Sequence, residues 1–134
     1  MNGNTTMKLN HLSFPSNDYV ATAAFFEKHL GCAISARMDS ACILKRPGFD
    51  IVIENAPDLA MEWPRNFHIG FELPSVESVR DLHDRFKALG VKIETAFFKH
   101  ERGSRFFCKE PGGMLLEINT RADADASYRG TFDN

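Results

Sequence analysis

The sequence predicts an α+β protein built from two similar βαβββ halves. A repeated segment and a change of hydrophobic period inside each copy carry that prediction. The first copy opens with the alternating run Lys8-Leu9-Asn10-His11-Leu12-Ser13-Phe14, and the second with Asn66-Phe67-His68-Ile69-Gly70-Phe71-Glu72-Leu73. Each run leads into a helix that ends Lys-x-Leu-Gly, at Gly31 and at Gly90.

The first helix is expected from about Asp18 to Leu30, with Asn17 or Asp18 accepting from the orphan amides at its start. Val20, Ala24, Phe25 and Leu30 give it an apolar stripe, and Gly31 supplies the left-handed residue that stops it. Three extended runs follow, Ala33–Met38, Ala41–Lys45 and Phe49–Asn55, with Arg46-Pro47-Gly48 as a turn. Pro57 to Pro64 reads as a linker between the halves. The second helix is expected from about Val76 to Leu89, started by Ser75 with Glu77 and Ser78, and striped by Val79, Leu82, Phe86 and Leu89. Val91–Phe97, Ser104–Lys109 and Met114–Thr120 then read as strands, with Glu110-Pro111-Gly112-Gly113 as a turn. From about Arg121 the pattern is lost, which suits an arm or a loose tail. Residues 1–134 are thus expected to form one domain, with module one at about 7–56, module two at about 65–120 and a C-terminal arm at 121–134.

Composition narrows the function classes. Hydrophobic residues make up 43% and charged residues 25%, an ordinary globular balance. Twelve Phe against one Trp and two Tyr suit a core filled by aromatic rings. The net charge of −2 comes without any Lys/Arg stripe, which argues against nucleic acid or an anionic membrane as partner. Cys32, Cys42 and Cys108 are odd in number and form no CxxC, so a reduced, cytoplasmic compartment is expected. Met1 to Thr6 is polar and does not read as a signal peptide, and no run is long enough to span a bilayer.

Strand alternation sorts the polar residues by face. Phe67, Ile69, Phe71 and Leu73 cover the helices, which turns His68, Gly70 and Glu72 to the other side. By the same rule Leu12 and Phe14 point inward while His11 and Ser13 point away. Met114, Leu116 and Ile118 point inward while Glu117 and Asn119 share the side of His68, and Ile51 and Ile53 oppose Glu54. Each half then offers a His from its first strand and a carboxylate from its last, so His11, Glu54, His68 and Glu117 are expected in matching places. Imidazole and carboxylate suit Zn, Ni, Fe(II), Mn or Co, and two His with one carboxylate leave coordination positions open. A lone strand His is more commonly a solvated or hydrogen-bonded side chain, and spacing alone leaves that reading open. Ser13 can touch a ligand or a water that orients His11. Lys99 to Arg105 is a charged loop, by default a solvated hairpin and otherwise an anion-binding one. Arg105 and Phe107 alternate with Phe106 and Cys108, which sets Cys108 on the core side as a packing residue. His29 and His83 are expected to be solvated on their helices.

Four segments resemble the vicinal oxygen chelate superfamily of glyoxalases, extradiol dioxygenases, fosfomycin-resistance transferases and bleomycin-resistance proteins. They are Met7-Lys8-Leu9-Asn10-His11, Phe25-Phe26-Glu27-Lys28-His29-Leu30-Gly31, Phe67-His68-Ile69-Gly70-Phe71 and Glu110-Pro111-Gly112-Gly113-Met114-Leu115-Leu116-Glu117-Ile118. The last is the most specific, because the superfamily's pattern sets its metal carboxylate four residues beyond that turn glycine. The resemblance implies a curved mixed sheet with helices on its outer face and one divalent metal ion held by His11, His68 and Glu117. Glu54 enters as the fourth ligand found in glyoxalase-like members. It also implies a homodimer in which ligands from the two chains can meet.

The chemistry so implied is that of a metal-dependent lyase or isomerase of glyoxalase type. Its small substrate would chelate the ion through vicinal oxygens, with Glu117 or Glu54 moving a proton and Ser13, Arg105 and Phe107 lining the substrate. The alternatives are a small extradiol-type dioxygenase and a non-catalytic drug- or metabolite-binding protein of bleomycin-resistance type. Thiol transfer to fosfomycin fits less well, since Phe107 stands where those transferases carry Tyr.

Overall fold

The structure, a computed structural model, describes residues 6–60 and 62–132. All of the expected non-signal run Met1 to Thr6 except Thr6 lies outside the described residues, as do Met61 of the linker and residues 133–134 of the arm. The chain divides into two compact units, Met1–Met61 and Glu62–Asn134.

The first unit runs β1 (His11–Ser16), α1 (Tyr19–His29), β2 (Ala33–Arg37), β3 (Ala41–Lys45) and β4 (Asp50–Asn55). The second repeats that order with β5 (His68–Glu72), α2 (Val76–Ala88), β6 (Lys92–Ile93), β7 (Arg105–Lys109) and β8 (Leu115–Asn119). The expected mixed sheet is built as two four-stranded sheets, ordered β1-β4-β3-β2 and β5-β8-β7-β6. In each, the first strand lies parallel to the last, and the strands between form an antiparallel meander. Pro15 is tolerated in β1 because that strand stands at the edge of its sheet.

The helix starts follow the expected chemistry. The Asp18 side chain accepts from Ala21 N, and Ser75 accepts from Ser78 N while the Ser78 hydroxyl accepts from Ser75 N. In α2 the stripe is Val79, Leu82 and Phe86, and Leu89 is exposed. In α1 the buried face is Thr22, Ala23, Phe25 and Phe26; of the expected stripe Phe25 is buried and Leu30 half-buried, while Val20 and Ala24 face solvent. Small residues let this face approach the sheet closely, and the Thr22 hydroxyl is satisfied by Ser16 Oγ at 2.8 Å.

Each unit has its own core. Phe14, Phe26, Leu44, Ile51 and Ile53 fill the first, and Val79, Phe86, Phe106, Met114, Leu116 and Ile118 the second. Two elements differ from expectation. The strand expected over 91–97 is cut to Lys92–Ile93 because Glu94 N and Thr95 N both bond to the single Phe107 carbonyl, which breaks the ladder. Phe67 precedes β5, is exposed, and stacks on Trp63 at 5.4 Å instead of covering the helix. The Glu110 carboxylate closes the β7–β8 turn by accepting from Gly112 N and Met114 N.

Residues 121–132 are tied into the second unit. The Asp123 carboxylate accepts from Ser104 N at 2.9 Å and Ser104 Oγ at 2.6 Å, Asp125 N donates to the Glu101 carbonyl, and a single 3₁₀ turn covers Ala126–Tyr128. Among the described residues, no helix is long and apolar enough to cross a membrane.

Candidate metal centre

In the second unit, parallel pairing sets Gly70 opposite Glu117 and His68 opposite Leu115, two positions nearer the start of both strands. Since Gly70 has no side chain, nothing from β5 stands between the imidazole and the carboxylate. His68 Nε2 lies 3.3 Å from Glu117 Oε1. The other ring nitrogen, Nδ1, lies 2.7 Å from the Asn66 carbonyl oxygen. That carbonyl can only accept, so Nδ1 is the donor to it and Nε2 is the ring nitrogen turned toward the carboxylate. Asn66 reaches the ring by adopting a left-handed φ of 71° just before the strand. The Phe107 ring meets His68 edge-on at 5.5 Å and fixes the imidazole plane.

The second carboxylate oxygen is committed elsewhere. Glu117 Oε2 accepts from Arg105 Nη1 at 3.1 Å and from Asn119 Nδ2 at 2.7 Å. Alternation explains the grouping: Glu117 and Asn119 are two apart on β8, and Asn119 is the register partner of Arg105 on β7. All three are buried, at 7%, 4% and 3% exposure. Arg105 therefore departs from the default of a solvated hairpin, its buried charge being answered by Glu117. Burial pulls the Arg105 guanidinium below its ordinary pKa; Glu117 opposes that shift, and the like charges of Arg102 and Arg121 add to it.

An imidazole nitrogen and a carboxylate oxygen 3.3 Å apart need a proton or a cation between them. Ligand bonds of 2.0–2.2 Å to one ion place two donors about 3.0–3.4 Å apart, so this pair fits a divalent metal. Within either unit, no three His, Cys, Asp or Glu gather as a metal-binding group among the described residues. His68 and Glu117 are thus the two candidate donors that the second unit brings together.

In the first unit His11 is exposed, with Nδ1 at 2.6 Å from Asn10 Oδ1, and Ser13 is exposed beside it. The expectation that Glu54 matches Glu117 does not hold. His11 pairs with Asp50 and Ser13 with Val52, so Val52 occupies the place of Glu117. Glu54 pairs with Pro15, the place of Asn119, which sets it about 13 Å along the sheet from the level of His11. The helix histidines also differ from expectation. His83 is largely covered, meeting Phe106 edge-on at 5.2 Å beside Asp84, and His29 meets Phe25 at 5.0 Å. Cys108 is fully buried, and burial pushes its thiol up to about 12. Asn66 and Asn119 escaped the sequence reading as site residues, although the spacing of Asn119 from Glu117 was signal enough for the second.

A family model described as the Glyoxalase/Bleomycin resistance protein/Dioxygenase superfamily matches residues 8–118. The chain belongs to that superfamily. Solved structures agree in fold. A possible glyoxalase from Bacillus cereus is 27% identical with a TM-score of 0.73, covering 85% of this chain and 99% of that one. The fosfomycin resistance protein FosX from Listeria monocytogenes, complexed with Mn(II) and sulfate, is 21% identical with a TM-score of 0.74, covering 94% and 97%. Lactoylglutathione lyase from Agrobacterium tumefaciens is 14% identical with a TM-score of 0.68, covering 86% and 94%. No curated protein matches the sequence significantly.

Proposed function

We propose that the two units are the halves of one domain and that the chain is a metal-dependent lyase or isomerase of glyoxalase type. Its substrate is a small molecule that offers two neighbouring oxygens. His68 and Glu117 hold the divalent ion, of the Zn, Ni, Fe, Mn or Co group, and His11 is the donor from the first unit, of the same chain or of a partner copy. The observation that carries this reading is the approach of His68 Nε2 to Glu117 Oε1 with the ring oriented through Nδ1. Bound there, the ion supplies Lewis acidity to the substrate oxygens. Arg105 and Asn119 hold Oε2, so Oε1 is the carboxylate atom that would face the ion, and only once substrate displaced it from the ion would it take and return a proton. Phe107 keeps the imidazole in place and presents an apolar wall to the substrate. The register lends Glu54 no support as a fourth ligand or second base, and Ser13 is a contact on the His11 side.

A homodimer is proposed with this chemistry, because β1 and β5 stand at sheet edges where another strand can add. The three unpaired, buried cysteines suit the cytoplasm. One observation favours a second reading, a non-catalytic metabolite-binding protein: Arg105 already neutralises Glu117, so the cluster is charge-satisfied without an ion.

Metal analysis of protein purified without chelator separates the two. A stoichiometric divalent ion in wild type, lost in His68→Ala and in Glu117→Gln, supports the enzyme. Full retention in both variants ends the proposed site, and a metal-free wild type leaves the binding protein. Activity on methylglyoxal–glutathione hemithioacetal, on catechol and on fosfomycin then ranks the chemistries.

A further inference from the structure

Beside Glu117, two buried polar atoms have no partner among the described residues: Arg105 Nη2 and Asn119 Oδ1. Each belongs to a group whose other arm is on the same carboxylate oxygen, Glu117 Oε2. The remaining guanidinium donor, Arg105 Nε, is engaged by the Gly103 carbonyl at 3.1 Å. The Asn119 orientation is fixed physically, since Oδ1 turned toward a carboxylate would oppose acceptor to acceptor. One free atom is therefore a donor on a cation and the other is a neutral acceptor. Leaving a buried donor or acceptor without a partner is unfavourable, so such a pair persists where something fills it. Glu117 answers one guanidinium, while Arg121, itself buried and donating to the Arg102 carbonyl, adds further positive charge to this end of the sheet.

We propose that Arg105 and Asn119 form a subsite for a 2-hydroxycarboxylate, Arg105 Nη2 donating to the carboxylate and Asn119 Oδ1 accepting from the neighbouring hydroxyl. The inference rests on the reading of the Glu117 cluster as a ligand site and names the substrate class within it. A neutral diol lacks the anion that Arg105 calls for. A 2-oxo acid lacks the proton that Asn119 calls for.

Three probes share a three-carbon frame and separate these demands: lactate carries both groups, pyruvate lacks the hydroxyl and propane-1,2-diol lacks the carboxylate. Titration of the full chain, followed by ligand-observed NMR, is expected to show lactate binding about tenfold or more tighter than either of the others. Arg105→Lys, which keeps a cation for Glu117, is expected to bring lactate down to the level of the diol, and Asn119→Ala to the level of pyruvate. Equal binding of the three probes overturns the subsite. So does undiminished lactate binding in Arg105→Lys, or no lactate binding at all, which would leave solvent as the partner of both atoms. Should a variant fail to fold, the wild-type ranking decides alone. The titration is run on chelator-treated protein and again with Zn²⁺ added, so that metal content reports on the proposed function and probe ranking on the subsite. Discrimination that appears only with Zn²⁺ and survives Arg105→Lys assigns the carboxylate to the ion and overturns the proposal.

Discussion

Glu117 divides its two oxygens between different tasks: Oε1 faces His68 Nε2 at 3.3 Å, while Oε2 is held by Arg105 and Asn119. That division needs three strands. β5 supplies the imidazole, β8 the carboxylate and the amide, and β7 the guanidinium, and the glycine at position 70 leaves the space between them open. The carboxylate is thus fixed before any ligand arrives, which lowers the entropy lost when one binds.

Because the Arg105–Glu117 pair is buried, removing one member leaves an unanswered charge. Glu117→Gln is expected to lower the unfolding free energy by about 3–5 kcal/mol, read from urea denaturation. The double change Glu117→Gln with Arg105→Met removes the stranded cation and is expected to recover much of that loss. A single variant within about 0.5 kcal/mol of wild type would show that the pair is solvated in solution, as surface pairs are.

The loop that delivers Arg105 turns at Gly103, whose φ is +110°. A Cβ there would stand 1.8 Å from the Thr120 carbonyl oxygen, so Gly103→Ala meets both backbone strain and a backbone clash. A loss of at least about 3 kcal/mol is expected, together with displacement of the Arg105 Nε contact to the Gly103 carbonyl. Gly31→Ala provides the contrast, for φ is also positive there but no atom lies within 4 Å of the added carbon. It should cost about 1 kcal/mol. Equal losses for the two changes would refute the role of the clash.

What could be read from the sequence was whatever the strand period decides locally. Alternation set His68 and Glu117 on one face, and the Glu110-Pro111-Gly112-Gly113 turn fixed where β8 begins. Register was beyond that reach, because alternation selects a face and not a partner. Glu54 therefore read as the mate of Glu117, although Val52 holds that place. Burial of Arg105 was equally hidden, since a charged loop is solvated by default and only a distant carboxylate reverses the balance. The α1 face of Thr22 and Ala23 carried too little hydrophobic contrast to show as a stripe.

Cys108 offers a test of the core beneath the site. It is fully buried, and burial holds its thiol at about 12, so almost no thiolate exists at neutral pH. With Cys32 and Cys42 also buried, native protein at pH 8 is expected to resist a disulfide reagent and to expose all three thiols only in denaturant. Rapid native labelling of Cys108, located by mass spectrometry, would show that β7 opens.

The docking of residues 121–132 depends on the ionised Asp123. Burial alone would raise its pKa, but hydrogen bonds from the Ser104 hydroxyl and amide outweigh that and hold it below the ordinary Asp range. A carboxyl depressed in the folded state stabilises fully above its unfolded value, about 3.9, and loses that contribution as pH falls through the folded value. Wild type is therefore expected to be more stable than Asp123→Asn at pH 7, with the difference shrinking below about pH 4 as Asp123 protonates. Urea denaturation of both proteins across that range makes the comparison, with the Ser104 amide resonance as a local reporter. A difference that stayed constant with pH, or grew in acid, would place the anchoring of this segment elsewhere.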